Sequence, residues 1–319
     1  MTTLADVAEL VRAPAALSVP GDVIAGAAAA GALGPRTPAL AGASVLLYWA
    51  GMAANDWADR RLDAVERPER PIPSGRVTPA VAVGLAAGLT AAGVGLAAAV
   101  GGRRAATLAV PLAATIWGYD LLAKNTAAGP AVMAACRGLD VLLGASGGRL
   151  TRALPAAATV AAHTWTVTAL SRREVTGADA ALPMRTLAGT AMVAASAAVA
   201  APGARRAAAR VDERSGATDR AGAVGEVGVR ARRTRSAGIA AALPAVLAGW
   251  YAARYGAAQV EVVRDPSAGR VRAAVGAGIT GLPALQGALT ARGGAGLLGL
   301  AVAAAAPLGR RLARKMSPT

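Results

Sequence analysis

The chain has no phenylalanine, a single cysteine and a single histidine among its 319 residues, and only 16% of its residues are charged. One cysteine excludes an intrachain disulfide, and we interpret Cys136 as a small buried apolar residue. The shortage of charge accompanies a hydrophobic content of 55%, in apolar stretches that recur from near residue 14 to near residue 310. No soluble domain of this size repeats such stretches, so the composition predicts a membrane protein.

The apolar stretches are long enough for membrane-spanning helices, because a helix needs about 20 apolar residues to cross the hydrocarbon core. Alanine and glycine supply much of the hydrophobicity, which lets helix backbones approach closely. The last two stretches are short and glycine-rich, and we expect one of them to be re-entrant or interfacial. The sequence therefore predicts a single all-α transmembrane domain over residues 1–319, a bundle of about nine membrane-spanning helices. The candidate spans are about 14–34, 38–58, 79–100, 104–122, 128–148, 153–171, 183–201, 236–253, 272–291 and 294–310.

The charged residues are strongly biased toward basic ones. Lysine and arginine number 34 against 18 aspartates and glutamates, which gives a net charge of +16. In a soluble protein this excess would indicate nucleic acid. Here the arginines cluster between apolar stretches, so we interpret them as topology signals and as contacts with anionic membrane lipids. The same distribution argues against a nucleic-acid partner.

Three polar connections separate the stretches. Residues 59–78 interleave arginines with acids and contain Pro71 and Pro73, which predicts an ordered cytoplasmic cap loop rather than one continuous helix. Residues 171–182 mix both charge signs, and residues 203–235 form a flexible or partly helical insert with nine arginines and four acids. The positive-inside rule places the first two connections in the cytoplasm and then puts the third outside, against the same rule. Either the span count or the side of the insert therefore stays open.

A polar motif, NDWADRRLD over residues 55–63, follows the second apolar stretch. At about 100° per residue, its four oxygen-bearing side chains fall within an arc of roughly 100° on one helix face. Carboxylates crowded at the edge of a low-dielectric region repel one another, which favours a neutralising divalent cation. Mg²⁺ is the natural candidate because it binds carboxylate and phosphate oxygens together. The four residues are Asn55, Asp56, Asp59 and Asp63.

Arginines beside the motif add a means of binding phosphate. Arg60, Arg67 and Arg70 are suited to guanidinium contacts with the phosphates that the metal ion would hold. The alternative is a solvated helix end, in which the aspartates pair with Arg60 and Arg61 in the next turn. The position directly after an apolar span, where ionisable groups are costly, favours the functional interpretation.

The run NDWADRRLDAVERPERPIPSG resembles the first signature of the UbiA superfamily of intramembrane prenyltransferases, Asn-Asp-x-x-Asp-x-x-x-Asp followed by an Arg-Pro and a Gly. Further matches are Arg12 and Pro14 before the first span, and Tyr119 with Lys124 in YDLLAK. The segments RAPAALSVPGDVIAG and CRGLDVLLGAS are similar to a bacterial branch related to the EboC proteins.

This resemblance implies a UbiA-like bundle around a central apolar cavity, in the bacterial cytoplasmic membrane with the motif loops facing the cytoplasm. It implies Mg²⁺-dependent transfer of a prenyl group from a polyprenyl diphosphate to an aromatic or other lipophilic acceptor. The implied metal ligands are Asn55, Asp56, Asp59 and Asp63, and the three aspartates together with Lys124 are the implied catalytic residues. The candidate substrate-binding residues are Asn55, Arg60, Arg67, Arg70, Tyr119, Arg137, Arg172 and Arg173.

The chain departs from the family at the second acidic motif, commonly Asp-x-x-x-Asp near the sixth span. Here the sequence is SRREVTGAD, in which Glu174 and Asp179 are the available metal ligands. Their spacing puts them about 140° apart on an ideal helix, so a second metal ion would need a loop geometry. The weak second motif supports an alternative function, a non-catalytic UbiA-like membrane protein that binds or moves a lipophilic precursor.

Two further polar features lie inside apolar stretches. Arg137 and Asp140 are spaced i, i+3, and we expect them to pair with each other, either as a structural pair or lining the cavity. His163 is either a base for the acceptor's proton or, as we expect, a hydrogen-bonded residue of helix packing.

Overall fold

The structure is a computed structural model that describes residues 2–13, 18–179, 181–199 and 227–305. Every regular element in these ranges is a helix, which confirms the all-α class. The helices of the described ranges are α1 (Leu4–Leu10), α2 (Pro20–Ala30), α3 (Thr37–Glu66), α4 (Pro79–Gly118), α5 (Gly129–Gly144), α6 (Leu150–Ser171), α7 (Ala181–Ala198), α8 (Val227–Arg264), α9 (Ala268–Arg292) and α10 (Gly296–Ala305).

The two N-terminal helices begin and end at residues suited to those positions. The hydroxyl of Thr3 accepts a hydrogen bond from the backbone of Asp6, and the Asp6 carboxylate accepts one from the backbone of Thr3, which caps α1. α2 has a proline in its first turn and ends at Gly31, whose φ of 69° favours glycine. The predicted span 14–34 is therefore represented by α2 alone, and residues 14–17 lie outside the described part.

Helix α3 carries the acidic motif and is longer than the sequence predicted. We placed the end of the second span at residue 58, but the helix continues to Glu66. After the first turn of the helix the next proline is Pro68. A proline disfavours helical geometry at the residue that precedes it, here Arg67, which follows the last residue of the helix. All motif residues consequently lie within regular helix, and the cap loop is shortened to residues 67–78.

Helix α4 is folded back on itself at Gly102. This glycine has φ 66° and ψ −159°, which is outside the helical region. The indole nitrogen of Trp117 donates a hydrogen bond to the hydroxyl of Thr90 at 3.0 Å. In a straight helix two residues 27 positions apart would be separated by about 40 Å along the axis. α4 is therefore a hairpin of two antiparallel arms, which correspond to the predicted spans 79–100 and 104–122.

The remaining helices follow the predicted spans. The described part of α8 includes residues 227–235 of the predicted polar insert, which are helical, and residues 203–226 lie outside the described part. The described part of α10 is Gly296–Ala305, and the end of the last predicted span, residues 306–310, lies outside the described part. A re-entrant or interfacial segment at this end of the chain stays a prediction. By length and hydropathy, α3 and the segment Pro79–Ala123 are suited to cross a membrane. The number of crossings stays a prediction.

Small residues allow α2 and α5 to pack with their backbones in contact. A Cβ atom on Gly26 would overlap the carbonyl oxygen of Val141, and one on Gly144 would overlap the carbonyl oxygen of Val23. Glycine is needed at both positions because no side chain fits there. This is the close helix approach that the alanine- and glycine-rich composition predicted.

Candidate active site

The acidic motif forms a row of carboxylates along the last turns of α3. Asp56 and Asp63 are 4% and 2% exposed, and the side chain of Asp59 between them is 24% exposed. Buried carboxylates are costly unless cations or hydrogen bonds compensate them. Each of the three aspartates should therefore have a compensating partner.

Two arginines from different segments converge on the buried carboxylates. Arg12 follows α1, and its Nη2 lies 2.7 Å from Oδ1 of Asp56. Arg70 comes from the cap loop, and its Nη1 lies 3.4 Å from the same oxygen and 2.8 Å from Oδ2 of Asp63. Arg67 is farther from Asp63, at 3.9 Å. Arg70 thus joins both ends of the row.

The backbone of Arg12 is strained where it delivers this contact. Its φ is +46°, a left-handed conformation that is uncommon for residues other than glycine. Such strain persists only where the surrounding structure imposes it. Here the ion pair with Asp56 is the interaction that holds the side chain in place.

A π-helical turn, Tyr119–Ala123, ends the hairpin and brings two more side chains to α3. The Nζ atom of Lys124 lies 2.5 Å from Oδ1 of Asp59. One turn earlier, Asp120 accepts a hydrogen bond from Nδ2 of Asn55 at 3.1 Å. π-Helical turns occur frequently at functional sites. The turn places both a cation and a further carboxylate beside the motif.

Not every residue predicted for the site lies against the carboxylates. Arg60 donates to the carbonyl of Trp57 at 2.7 Å, and its guanidinium lies 4.8 Å from the centre of that indole ring, away from the row. The side chain of Tyr119 is half-buried next to Asp120 and makes no hydrogen bond with the described residues. Arg173 is exposed and forms no side-chain hydrogen bond or ion pair within the described part.

Arg172 contacts backbone rather than carboxylates. Its Nη1 donates to the carbonyl oxygen of Thr126 and lies 3.4 Å from that of Lys124. It therefore ties the end of α6 to the segment that carries Lys124. A cation at the end of a helix is also favoured by the helix dipole.

The second acidic segment is not assembled with the row. Asp179 accepts hydrogen bonds from the backbones of Ala181 and Leu182 at 3.1 and 2.8 Å, so its carboxylate caps α7. The carbonyl of Glu174 accepts from Arg272 at 2.8 Å, and partial burial raises the pKa of its carboxyl group. Among the described residues neither acid contacts Asp56, Asp59 or Asp63.

Arg137 has a different partner from the one predicted. Its Nε lies 2.8 Å from Oδ2 of Asp22 on α2, and its guanidinium lies 5.4 Å from the centre of the Tyr48 ring. Asp140 instead accepts a hydrogen bond from Ser44. The prediction of an Arg137 and Asp140 pair is wrong because neighbouring helices supply closer partners, which helical spacing cannot reveal.

This buried polar cluster is separate from the carboxylate row. Ser44 precedes Asp56 by 12 residues on α3, which corresponds to about 18 Å along the helix axis. A second buried contact lies elsewhere in the bundle, where Nδ1 of His163 is 2.8 Å from the hydroxyl of Tyr251. His163 is therefore bonded within helix packing, as we expected.

Two residues that contact the row were missed or underrated from the sequence. Arg12 matched a family position but was not assigned to the site, and Asp120 was not considered. The available signal for Asp120 was an acid within the apolar YDLLAK segment, since intramembrane acids are usually functional. Sequence spacing gave no indication that it faces Asn55.

The donor atoms along the row suit a magnesium ion. All are carboxylate or amide oxygens, which Mg²⁺ prefers. Each aspartate is already held by a cation, and among the described residues no three acids, histidines or cysteines gather into a metal cluster. Mg²⁺ usually binds through one or two carboxylates plus substrate phosphates. The residues therefore fit a metal ion that arrives with a phosphate ligand.

Comparison with known proteins gives a family match. The model of the UbiA prenyltransferase family matches residues 19–203. The digeranylgeranylglyceryl phosphate synthase of Natronomonas pharaonis is 36% identical over 162 residues, which are 48% of this chain and 58% of that protein. The enzyme of the same name from Ignicoccus hospitalis is 43% identical over 93 residues, 29% of this chain and 31% of that protein. The chain thus spans less than two thirds of these curated relatives.

Two solved structures share the fold. One, described as giving insights into the biosynthesis of digeranylgeranylglyceryl phosphate synthase in membranes, has a TM-score of 0.58 at 14% identity and covers 90% of this chain and 97% of its own. The other, an apo UbiA homologue from Aeropyrum pernix K1, has a TM-score of 0.55 at 18% identity and covers 89% of this chain and 96% of its own. At these identities the similarity concerns the fold alone.

Proposed function

The chain belongs to the UbiA prenyltransferase family, and from this membership we propose that it transfers a prenyl group from an isoprenoid diphosphate to a lipophilic acceptor within the membrane. One observation carries the proposal. Cationic side chains from three separate segments, Arg12, Arg70 and Lys124, end on a single row of carboxylates. A structural ion pair needs one cation, whereas Asp56 has two, Arg12 and Arg70. Lys124 lies at Asp59, about one helical turn farther along the same row, so a single anionic ligand there would meet cations from all three segments.

The donor's diphosphate is the ligand that fits this arrangement. Phosphate oxygens make strong, charge-assisted hydrogen bonds with guanidinium groups, so Arg12 and Arg70 can exchange their carboxylate partners for them. That exchange frees Asp56 and Asp63 as oxygen donors. Mg²⁺ held by Asp56, Asp59 and Asp63, with Asn55, would supply Lewis-acid stabilisation of the negative charge on the leaving group.

The proposed transfer has two steps, cleavage of the donor and capture of the prenyl cation by the acceptor. The C–O bond of the prenyl diphosphate breaks with its electron pair on the diphosphate, and an allylic cation remains. The acceptor's nucleophilic atom then bonds to that cation and loses its proton. Lys124, Arg12 and Arg70 stabilise the charge that develops on the diphosphate, and the apolar helices exclude water from the cation.

The names of the relatives support a narrower substrate class. They are digeranylgeranylglyceryl phosphate synthases, which suggests a geranylgeranyl donor and a glyceryl phosphate acceptor that already carries one such chain. An aromatic or other lipophilic acceptor is the broader alternative. The arginines of the cap loop favour a position of the motif on the cytoplasmic side of the membrane. The membrane that we propose is the bacterial cytoplasmic membrane.

The proposal is tested with purified protein in lipid nanodiscs. Labelled geranylgeranyl diphosphate and Mg²⁺ are supplied with either geranylgeranylglyceryl phosphate or a panel of aromatic acceptors, and product and diphosphate are measured. Product formation that is lost in Asp59→Ala is the expected result. Its matched control is Asp265→Ala, which removes an exposed acid far along the chain from the motif.

A non-catalytic carrier of a lipophilic precursor is the second candidate. The specific observation in its favour is that Asp179 caps α7 instead of completing a second acidic site. In the same assay a carrier would bind the donor with clear affinity but release diphosphate only at the background rate. That outcome would contradict the transferase and support the carrier.

A further inference from the structure

Two polar contacts, four residues apart on each segment, join α3 to the π-helical turn and the residue that follows it. Asn55 and Asp59 lie one turn apart on α3, and Asp120 and Lys124 lie four residues apart at the end of the hairpin. The lower contact joins Asn55 to Asp120 at 3.1 Å, and the upper contact joins Asp59 to Lys124 at 2.5 Å. The two segments therefore run parallel and in register beside the motif.

The approach of the two segments depends on a glycine. A Cβ atom on Gly51 would lie 2.6 Å from Cγ2 of Ile116 and 3.6 Å from Oδ2 of Asp120. Gly51 precedes Asn55 by one turn, so the same face of α3 contains an open position followed by the two polar contacts. This open position lets Asp120 sit directly against α3.

Asp120 is an unusual residue for such a location. It is only 5% exposed, and its single hydrogen-bond partner among the described residues is the neutral amide of Asn55. The nearby ammonium of Lys124 is directed to Asp59 instead. A buried carboxylate without a direct cationic partner is costly. Its cost in stability points to a functional role.

The hydrogen bond determines which end of the Asn55 side chain is engaged by Asp120. Because Nδ2 donates to Asp120, the amide oxygen Oδ1 is directed away from that contact and is available as an oxygen ligand. Groups that orient a metal ligand through a hydrogen bond commonly matter about tenfold to 100-fold in metal affinity. Without Asp120, the amide could rotate and present its NH₂ group to the cation.

We propose that Asp120 is a positioning residue that fixes the amide of Asn55 with its oxygen toward the carboxylate row and thereby supports divalent-cation binding. This inference rests on the proposed function and adds a residue outside both acidic motifs. Asp120 acts as a hydrogen-bond acceptor for Asn55, and its charge is not the required property.

The test measures Mn²⁺ binding by electron paramagnetic resonance, with inorganic diphosphate present and without turnover. Asp120→Ala should weaken Mn²⁺ binding about tenfold or more. Asp120→Asn keeps an acceptor oxygen for Asn55 and should bind Mn²⁺ nearly as tightly as the parent protein. Asn55→Ala removes the proposed ligand itself and should weaken Mn²⁺ binding at least as much as Asp120→Ala. The double variant should be no weaker than Asn55→Ala, because Asp120 acts only through Asn55.

The control is Leu121→Ala, which alters the same π-helical turn at a side chain that is 47% exposed. It should leave Mn²⁺ affinity unchanged. If Asp120→Ala proves unstable, Asp120→Leu replaces it, since leucine has nearly the same shape as aspartate but no acceptor oxygen. Asp120→Leu should weaken Mn²⁺ binding, whereas Asp120→Asn should not.

Three results would overturn the inference. Equal affinity in Asp120→Ala and the parent protein would show that the residue is only structural. Equal weakening in Asp120→Asn and Asp120→Ala would show that the carboxylate acts through its charge. Absence of Mn²⁺ binding in the parent protein would reject the inference together with the proposed function, whereas the first two results leave that function standing.

Discussion

The ammonium of Lys124 lies 2.5 Å from a carboxylate oxygen of Asp59, although 65 residues separate the two in sequence. This ion pair fixes the end of the α4 hairpin against the motif helix. It also keeps a preorganised cation beside the place where the proposed leaving group would sit.

Lys124→Met should reduce prenyl transfer by about 10²- to 10³-fold, because it removes a preorganised cation from the developing charge on the diphosphate. The measurement is the turnover rate at saturating donor. Arg61→Gln serves as control, since Arg61 is an exposed arginine of α3 that forms no ion pair within the described part. An equal loss in the two variants would contradict a specific role for Lys124.

Gly51→Ala should destabilise the protein by about 1–3 kcal/mol, as expected for overpacking. The added methyl group would meet Cγ2 of Ile116 at 2.6 Å and push the hairpin away from α3. The matched control is Gly42→Ala on the same helix, whose Cβ would meet only Leu96, at 3.9 Å. Thermal unfolding in detergent should distinguish the two, and similar unfolding temperatures would argue against the close approach.

Arg137→Met should cost about 3–5 kcal/mol, because it leaves the buried carboxylate of Asp22 without its cation. The two side chains are 8% and 0% exposed. A matched surface test is Arg264→Met, which breaks the exposed i, i+3 pair with Glu261 and should cost about 0–1 kcal/mol. Denaturation that shows no difference between the two variants would refute the buried pair.

The stabilising contribution of Asp6 should disappear in acid. Hydrogen bonds from Thr3 and the guanidinium of Arg76 lower the pKa of Asp6 from 3.8 to about 2. Because the folded pKa is below the unfolded one, the contribution is full above about pH 4 and is lost as the pH falls toward 2. The measurement is the difference in unfolding temperature between Asp6→Asn and the parent protein across this range. A difference that does not change with pH would contradict the assignment.

The acidic face of α3 could be predicted from the sequence because it depends only on the geometry of a single helix. Helical spacing places Asp56, Asp59 and Asp63 together wherever that segment is helical, and the structure has them in one helix. Lys124 was predicted as a site residue because its segment, YDLLAK, resembles a segment of the family. These elements need no knowledge of how helices pack.

The contacts between helices could not be predicted in the same way. Asp22 becomes the partner of Arg137, and Asp120 that of Asn55, only through the packing of α2, α3, α4 and α5. A single sequence contains no measure of which helix faces lie together. The same limit explains why the sequence left residues 227–235 open between a flexible and a helical state. Their arginines carry no hydrophobic periodicity, whereas in the structure they continue the helix of the following apolar span.

The turn at Gly102 lies at the opposite end of the hairpin from the π-helical turn. Each residue of a helix advances the side chains by about 100°. One residue inserted anywhere between Gly102 and Tyr119 would rotate Asp120 and Lys124 off α3, even though the insertion touches nothing in the site. The length of that arm is therefore a constraint as strict as the identity of the acids themselves, and tolerated insertions should be confined to the loops.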